Sequence, residues 1–130
     1  MKVSLSVILG MVWLLVTASA ESHHSFAAEF DVSRPVALTG TVTGVDWTNP
    51  HAWLFIETEN SQGNVESWAI ELLGINGLMR RGLNRDSLKP GDLVIVEGFG
   101  ARDGTNTANA SVVTMAETGE RLWESTAAER

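Results

Sequence analysis

The chain has 130 residues, no cysteine and a formal net charge of −7 at pH 7. The absence of cysteine excludes disulfides, thiolate metal sites and thiol catalysis. The acidic balance argues against a nucleic-acid partner, because such binding depends on Lys and Arg displacing counterions from phosphates. The length predicts one small domain with a single core.

The first twenty residues have the pattern of an export signal. Lys2 supplies a positive start, residues 3–16 are almost wholly apolar, and Ala18-Ser19-Ala20 provides the small residues that signal peptidase reads. We therefore expect cleavage after Ala20 and a periplasmic or secreted protein with 8 basic and 16 acidic residues. The apolar run is short for a spanning helix of about 20 residues, so we expect no stable membrane anchor after cleavage. An uncleaved anchor is the alternative.

An N-terminal arm and two strands come next. Residues 21–35 contain two histidines but have no clear period, and we interpret them as the arm. From Val36 onwards apolar and polar residues alternate as in a strand, and a slip of phase at Gly44 predicts a bulge. A second strand over residues 52–57 is apolar on both faces, as a fully buried strand would be.

The third strand and a short helix follow. Residues 65–72 alternate, with Trp68 on the apolar side and Glu71 on the other. The helix has Asn76 as its possible N-cap and Gly82 as its C-terminal stop.

Two further strands complete the predicted domain. They cover residues 93–99 and 108–115, and residues 120–123 form an edge strand or simply trail. The order of three strands, one helix and two strands predicts an all-β fold, a small five-stranded OB-like Greek-key barrel over residues 36–117. Residues 118–130 would then form a C-terminal tail.

Four motifs are distributed along the chain after the signal. They are HHSFAAEFD from His23, TNPHAW from Thr48, NGLMRRG from Asn76 and DSLKPGD from Asp86. Together they resemble a widespread family of small exported bacterial proteins of unknown function. The resemblance implies export and a compact β-barrel, and it brings no established activity, cofactor or catalytic residue.

The three histidines suggest a metal site. If the arm folds back over the mouth of the barrel, His23 and His24 can meet His51 in the first loop. Imidazoles are good ligands for copper or another divalent transition metal, and affinity would fall below about pH 6 because protonated imidazole cannot ligate. We expect a binding or accessory module with copper as the first candidate. The alternative is that the paired histidines are solvated and His51 caps a turn.

A separate metal hypothesis needs no fold. Cleavage after Ala20 would make His23 the third residue of the mature chain. The terminal amine, two deprotonated amides and the imidazole could then enclose Cu(II) or Ni(II) in a square plane.

A second interpretation is a binding module without metal, for a small ligand or a periplasmic protein partner. Barrels of this kind bind ligands through their loops and exposed aromatic side chains. The corresponding residues here are Trp47, Asn49, Arg102 and Asp103. Core packing of the tryptophans and an ordinary flexible connection at residues 100–107 are the alternatives.

The sequence carries no recognised enzyme signature. It has no Gly-flanked nucleophile elbow, HExxH helix or phosphate loop. Glu57, Glu66 and Glu71 could pair as carboxylates on neighbouring strands, although such residues commonly keep barrel exteriors soluble. A binding role is therefore favoured over a reaction.

Overall fold

A computed structural model describes residues 26–125 as six strands and one short α-helix, preceded by a helical turn at residues 26–29. The all-β class predicted from the sequence is confirmed. The elements are β1 (Phe30–Asp46), β2 (Trp53–Glu59), β3 (Val65–Glu71), α1 (Ile75–Arg80), β4 (Leu93–Ala101), β5 (Thr107–Met115) and β6 (Arg121–Glu124).

The sheet closes into a ring. The 17-residue β1 pairs with β4 through its first part and with β2 through its last part. β3 pairs with β2 on one side and, in parallel, with β5 on the other, while β6 pairs with the free edge of β5. A register shift between Val42 and Gly44 confirms the bulge that the sequence predicts. Such a bulge bends a strand, which lets β1 contribute to both halves of the ring.

The hydrophobic core lies inside the ring. Side chains that alternate along each strand point inwards, and α1 adds Leu78 from one side. The largest fully buried side chains are Val42, Leu54, Ile56, Ile70, Leu78, Val94, Val96 and Val113. All of the strands from β1 to β6 therefore bury residues in one shared core.

Two predictions about the first strands are wrong. β1 begins at Phe30 rather than Val36, so the end of the predicted arm belongs to the sheet. An irregular register between Phe30 and Pro35 breaks the alternation there, which hides this part of the strand in the sequence. β2 is buried on one face only, with Ile56 inside and Phe55 39% exposed.

The start of α1 also differs from the prediction. Its N-cap is Gly74, and Asn76 lies within the helix. A Cβ at position 74 would come within 2.6 Å of the Pro50 carbonyl oxygen, so the close approach of the two loops requires glycine. The helix ends before Gly82, whose φ of +83° fits the predicted stop.

Near the C-terminal end of the described chain, β6 pairs with β5, which confirms the edge-strand alternative for residues 120–123. Within residues 26–125, none of the helices has the length and hydropathy that crossing a membrane requires.

Candidate functional site

A histidine and a buried glutamate meet at one end of β2 and β3. His51 lies in the loop before β2, and Glu71 ends β3, where it is the register partner of Trp53. His51 Nδ1 is 2.8 Å from Glu71 Oε1, and the two side chains are 44% and 8% exposed. Among residues 26–125 the other ring nitrogen of His51, Nε2, has no hydrogen-bond partner. The pair therefore presents one fixed and partly exposed imidazole.

The surroundings of Glu71 make its carboxyl group easier to protonate than that of an ordinary glutamate. Burial of the Glu71 carboxyl is the largest effect and raises its pKa, and the nearby Glu29 raises it further. His51 and a hydrogen bond from Asn109 lower the pKa, but they do not bring it back to the ordinary value. Asn109 is the register partner of Glu71 on β5 and is 9% exposed. Within the described part of the chain its Oδ1 has no hydrogen-bond partner.

Arg102 fastens the helical turn at residues 26–29 to the ring. Its backbone N–H donates to the Glu29 carbonyl at 2.9 Å, and its Nε donates to the Ala27 carbonyl at 2.6 Å. Its Nη1 is 3.9 Å from Asp31 Oδ2. These contacts explain why Glu29 lies close enough to Glu71 to affect its pKa.

Aromatic packing adds to the same attachment. The Phe26 ring lies 5.6 Å from that of Phe30 and 6.3 Å, edge to face, from that of Phe99. Phe30 is 2% exposed. The turn is therefore held by apolar burial as well as by the Arg102 hydrogen bonds.

A cavity of about 330 Å³ lies between this turn and the outer face of the ring. Apolar lining comes from Ala28, Phe30 and Ala101. The polar and aromatic lining consists of Glu29, Trp53, Arg102, Asp103, Thr105 and Thr107.

Asp103 is held in its charged form at the edge of this cavity. The Thr105 backbone N–H and hydroxyl donate to Asp103 Oδ1 at 3.0 and 2.7 Å. These two hydrogen bonds keep the pKa of Asp103 below its ordinary value. The cavity therefore contains a carboxylate that is harder to protonate than an ordinary aspartate.

The structure separates the four residues predicted to bind a ligand. Arg102 and Asp103 line the cavity. Trp47 is half-buried and packs against the core. Asn49 accepts a hydrogen bond from the Ile75 N–H at 3.2 Å, so it supports the start of α1.

Of the residues predicted to bind metal, the described chain contains only His51. His23 and His24 lie outside the described residues. Within residues 26–125 no three His, Cys, Asp or Glu side chains form a group that could hold a metal ion. A shared histidine site therefore remains a prediction.

Sequence reasoning did not predict the burial of Glu71 or its proximity to Glu29 and Trp53. The alternation of β3 placed Glu71 on the outer face and suggested a solubilising role. A signal was present in the apolar residues that flank it, Ile70 and Leu72, which mark the most buried part of the strand. The pairing of β3 with β5, which places Asn109 beside Glu71, has no comparable local signal.

Comparison with known proteins places the chain in a sequence family. The model of a family of unknown function, DUF6152, matches residues 12–110. No curated protein matches the chain. A solved structure described as the crystal structure of the ZRD-deleted mutant of TiaS in complex with agmatine is 24% identical, with a TM-score of 0.46. The match covers 68% of this chain, which spans 23% of that protein's length.

Proposed function

We propose that this chain, which belongs to the family of unknown function DUF6152, is an exported binding module that holds a transition metal through His51, His23 and His24. Copper is the first candidate, because imidazole ligands suit it well. The observation that carries the proposal is the 2.8 Å contact between His51 Nδ1 and Glu71 Oε1.

This contact has the form that metal-binding histidines commonly adopt. A ligating histidine donates the N–H of its other ring nitrogen to a carboxylate, which fixes the ring and makes the ligating nitrogen more basic. Here Nδ1 faces Glu71, so Nε2 of His51 would be the ligand. Because Glu71 is almost fully buried, its carboxyl group has little freedom to release the ring.

The path of the arm supports the participation of the paired histidines. Arg102 attaches the turn at residues 26–29 to the ring, and Glu29 of this turn lies close enough to Glu71 to raise its pKa. His24 precedes Phe26, the first residue of the helical turn that the structure describes, by two positions, and an extended chain of that length spans at most about 7 Å. This short connection to a turn whose Glu29 acts on Glu71 supports the proposed participation of His23 and His24.

The proposed architecture is an OB-like barrel. It is supported by a long bent β1 that pairs with both β2 and β4, by the β3–β5 pair that closes the ring, and by α1 between β3 and β4. The apolar run and small residues at positions 1–20 support export to the periplasm.

The proposal is tested by measuring bound metal. Mature protein is purified from the periplasm, loaded with Cu(II), dialysed and assayed for copper per chain. We expect the wild type to hold one copper, and His51→Ala and His23→Ala/His24→Ala to lose it. Glu71→Gln should weaken the affinity about 10- to 100-fold, as loss of a supporting carboxylate does elsewhere.

The matched control is Glu57→Gln, which removes an exposed carboxylate from β2 and should leave copper binding unchanged. Equal loading in all variants would contradict the proposal and favour a ligand- or partner-binding module without metal. A mature chain that begins at Glu21 and loses copper only with His23→Ala would instead favour the N-terminal square-planar motif.

A further inference from the structure

The cavity between the N-terminal turn and the ring has more acidic than basic groups available to a ligand. The Glu29 side chain is exposed, and within the described residues its carboxylate has no hydrogen bond or ion pair. Asp103 is held in its ionised form by Thr105. The one cation of the lining, Arg102, is already engaged by the Ala27 carbonyl and Asp31. A ligand would therefore meet a lining with more negative than positive groups, in which Arg34 offsets part of the charge of Asp103.

An aromatic face accompanies these carboxylates. Trp53 is half-buried on the outer face of β2 and lines the cavity. An indole ring attracts a cation placed over its face, and the attraction grows when water is excluded. A carboxylate and an indole around one cavity are the groups that recognise an organic cation.

A buried hydrogen-bond acceptor lies on the same side of the ring. Asn109 follows Thr107 by two residues on β5, so the two side chains share a face of that strand. The Asn109 side chain is 91% buried, and its Oδ1 lacks a partner within residues 26–125. Buried acceptors without a partner are rare in folded proteins. Asn109 is not among the residues that line the cavity, so the proposed contacts do not include it.

We infer that this cavity binds a small organic ammonium ion, with Glu29 and Asp103 facing its charge and Trp53 covering its apolar part. Its volume of about 330 Å³ lies at the small end of the range for small-molecule sites, roughly 300–1,000 Å³. The site is separate from the proposed histidine site, since neither His51 nor Glu71 lines the cavity.

Choline and its neutral isostere 3,3-dimethylbutan-1-ol provide the test. The two molecules have nearly the same shape and differ in charge, so titration calorimetry on metal-free mature protein isolates the effect of the cation. We expect choline to bind with a stoichiometry of one and the isostere to bind at least about tenfold more weakly. Equal affinities, or no saturation by choline up to about 10 mM, would overturn the inference.

Two variants locate the binding. Glu29→Gln and Trp53→Phe should each weaken choline binding measurably, by up to about tenfold. Phe is chosen at position 53 because it preserves most of the packing. The matched control is Glu57→Gln, which removes the same charge from an exposed position outside the cavity. If Glu57→Gln weakens binding as much as Glu29→Gln, choline is responding to the overall charge and the inference is wrong.

The same samples separate this inference from the metal proposal. Copper loading of Trp53→Phe should equal that of the wild type, because the indole is not a proposed ligand. Loss of choline binding with normal copper loading would support two sites. Loss of both functions in folded Trp53→Phe protein would overturn the assignment of a distinct ammonium site.

Discussion

The Glu71 carboxyl group lies almost out of contact with solvent, between the His51 ring and Asn109. Burial penalises its charged form, and neighbouring Glu29 adds to that penalty. His51 and Asn109 offset part of it without reversing the direction. A carboxyl group in this position restrains the imidazole beside it while remaining easier to protonate than an exposed glutamate.

The raised pKa of Glu71 predicts how stability changes with pH. The folded state binds this proton more tightly than the unfolded state, so the favourable contribution is complete below the ordinary value of 4.5 and is lost as the pH rises through the folded pKa. Glu71→Gln keeps the shape of the side chain and stays neutral. We therefore expect the stability of metal-free wild type, relative to Glu71→Gln, to decline between pH 4.5 and neutrality.

Urea unfolding at a series of pH values measures this difference. The control is Glu57→Gln, whose stability should run parallel to the wild type over the same range because the side chain is exposed. Parallel curves for Glu71→Gln would show that the carboxyl group titrates alike in both states.

For single residues, the sequence predicted the location in the fold more accurately than the burial of the side chain. Alternation along β3 correctly separated Trp68 and Ile70 from Glu71, and turn chemistry correctly placed His51 in a loop. Neither pattern could show that Glu71 is covered. Glu71 lies between Trp53 on β2 and Asn109 on β5, and the pairing of β3 with β5 leaves no local pattern in the sequence.

The N-terminal turn and β1 form one continuous element that is attached to the β4–β5 connection. Arg102 in this connection donates a hydrogen bond to the turn, and Phe26 in the turn packs against Phe99 of β4. Because the carbonyl of Ala27 accepts from a guanidinium, this hydrogen bond has an ionised donor and is stronger than a neutral one.

Arg102→Ala should therefore loosen the turn without unfolding the ring. We expect faster amide hydrogen exchange over residues 26–31 and a loss of about 1 kcal/mol in the free energy of unfolding. Arg121→Ala is the matched control, since Arg121 makes an exposed pair with Glu124; exposed pairs contribute about 0–1 kcal/mol. Unchanged exchange at residues 26–31 in Arg102→Ala would mean that aromatic packing alone holds the turn.

The sequence predicted which segments form strands, but it predicted the first and last residues of those strands less accurately. Regular alternation identified β3, β4 and β5 to within two residues at each end. The first six residues of β1 were missed because the register shift before Pro35 interrupts their pairing with β4. Apolar residues on both faces of β2 were read as full burial, although Phe55 faces outwards.

At the scale of the whole molecule, the ring depends on contacts between distant segments. β3 meets β5 through Ile70 and Ala108, whose side chains both lie inside the core. Element order and the position of α1 suggested a closed arrangement, but pairing between strands far apart in sequence leaves no local pattern. The pairing of β3 with β5, which closes the ring, is therefore known only from the structure.

A ring with one shared core should unfold as a unit, since every strand contributes to the same cluster of buried side chains. Leu54 is 0% exposed at the centre of β2, and Leu54→Ala should reduce the free energy of unfolding by roughly 2–5 kcal/mol. Val65→Ala, at a position 67% exposed on β3, should change it by no more than about 0.5 kcal/mol.

Urea titrations followed by far-UV circular dichroism and by tryptophan fluorescence test both parts of this prediction. The two probes should give one midpoint in each protein, because fluorescence reports on indoles in different strands while dichroism reports on the whole sheet. Separate midpoints in Leu54→Ala would show that part of the ring remains folded after the β2 side of the core has opened. The six strands would then belong to two cooperative units, joined through β1.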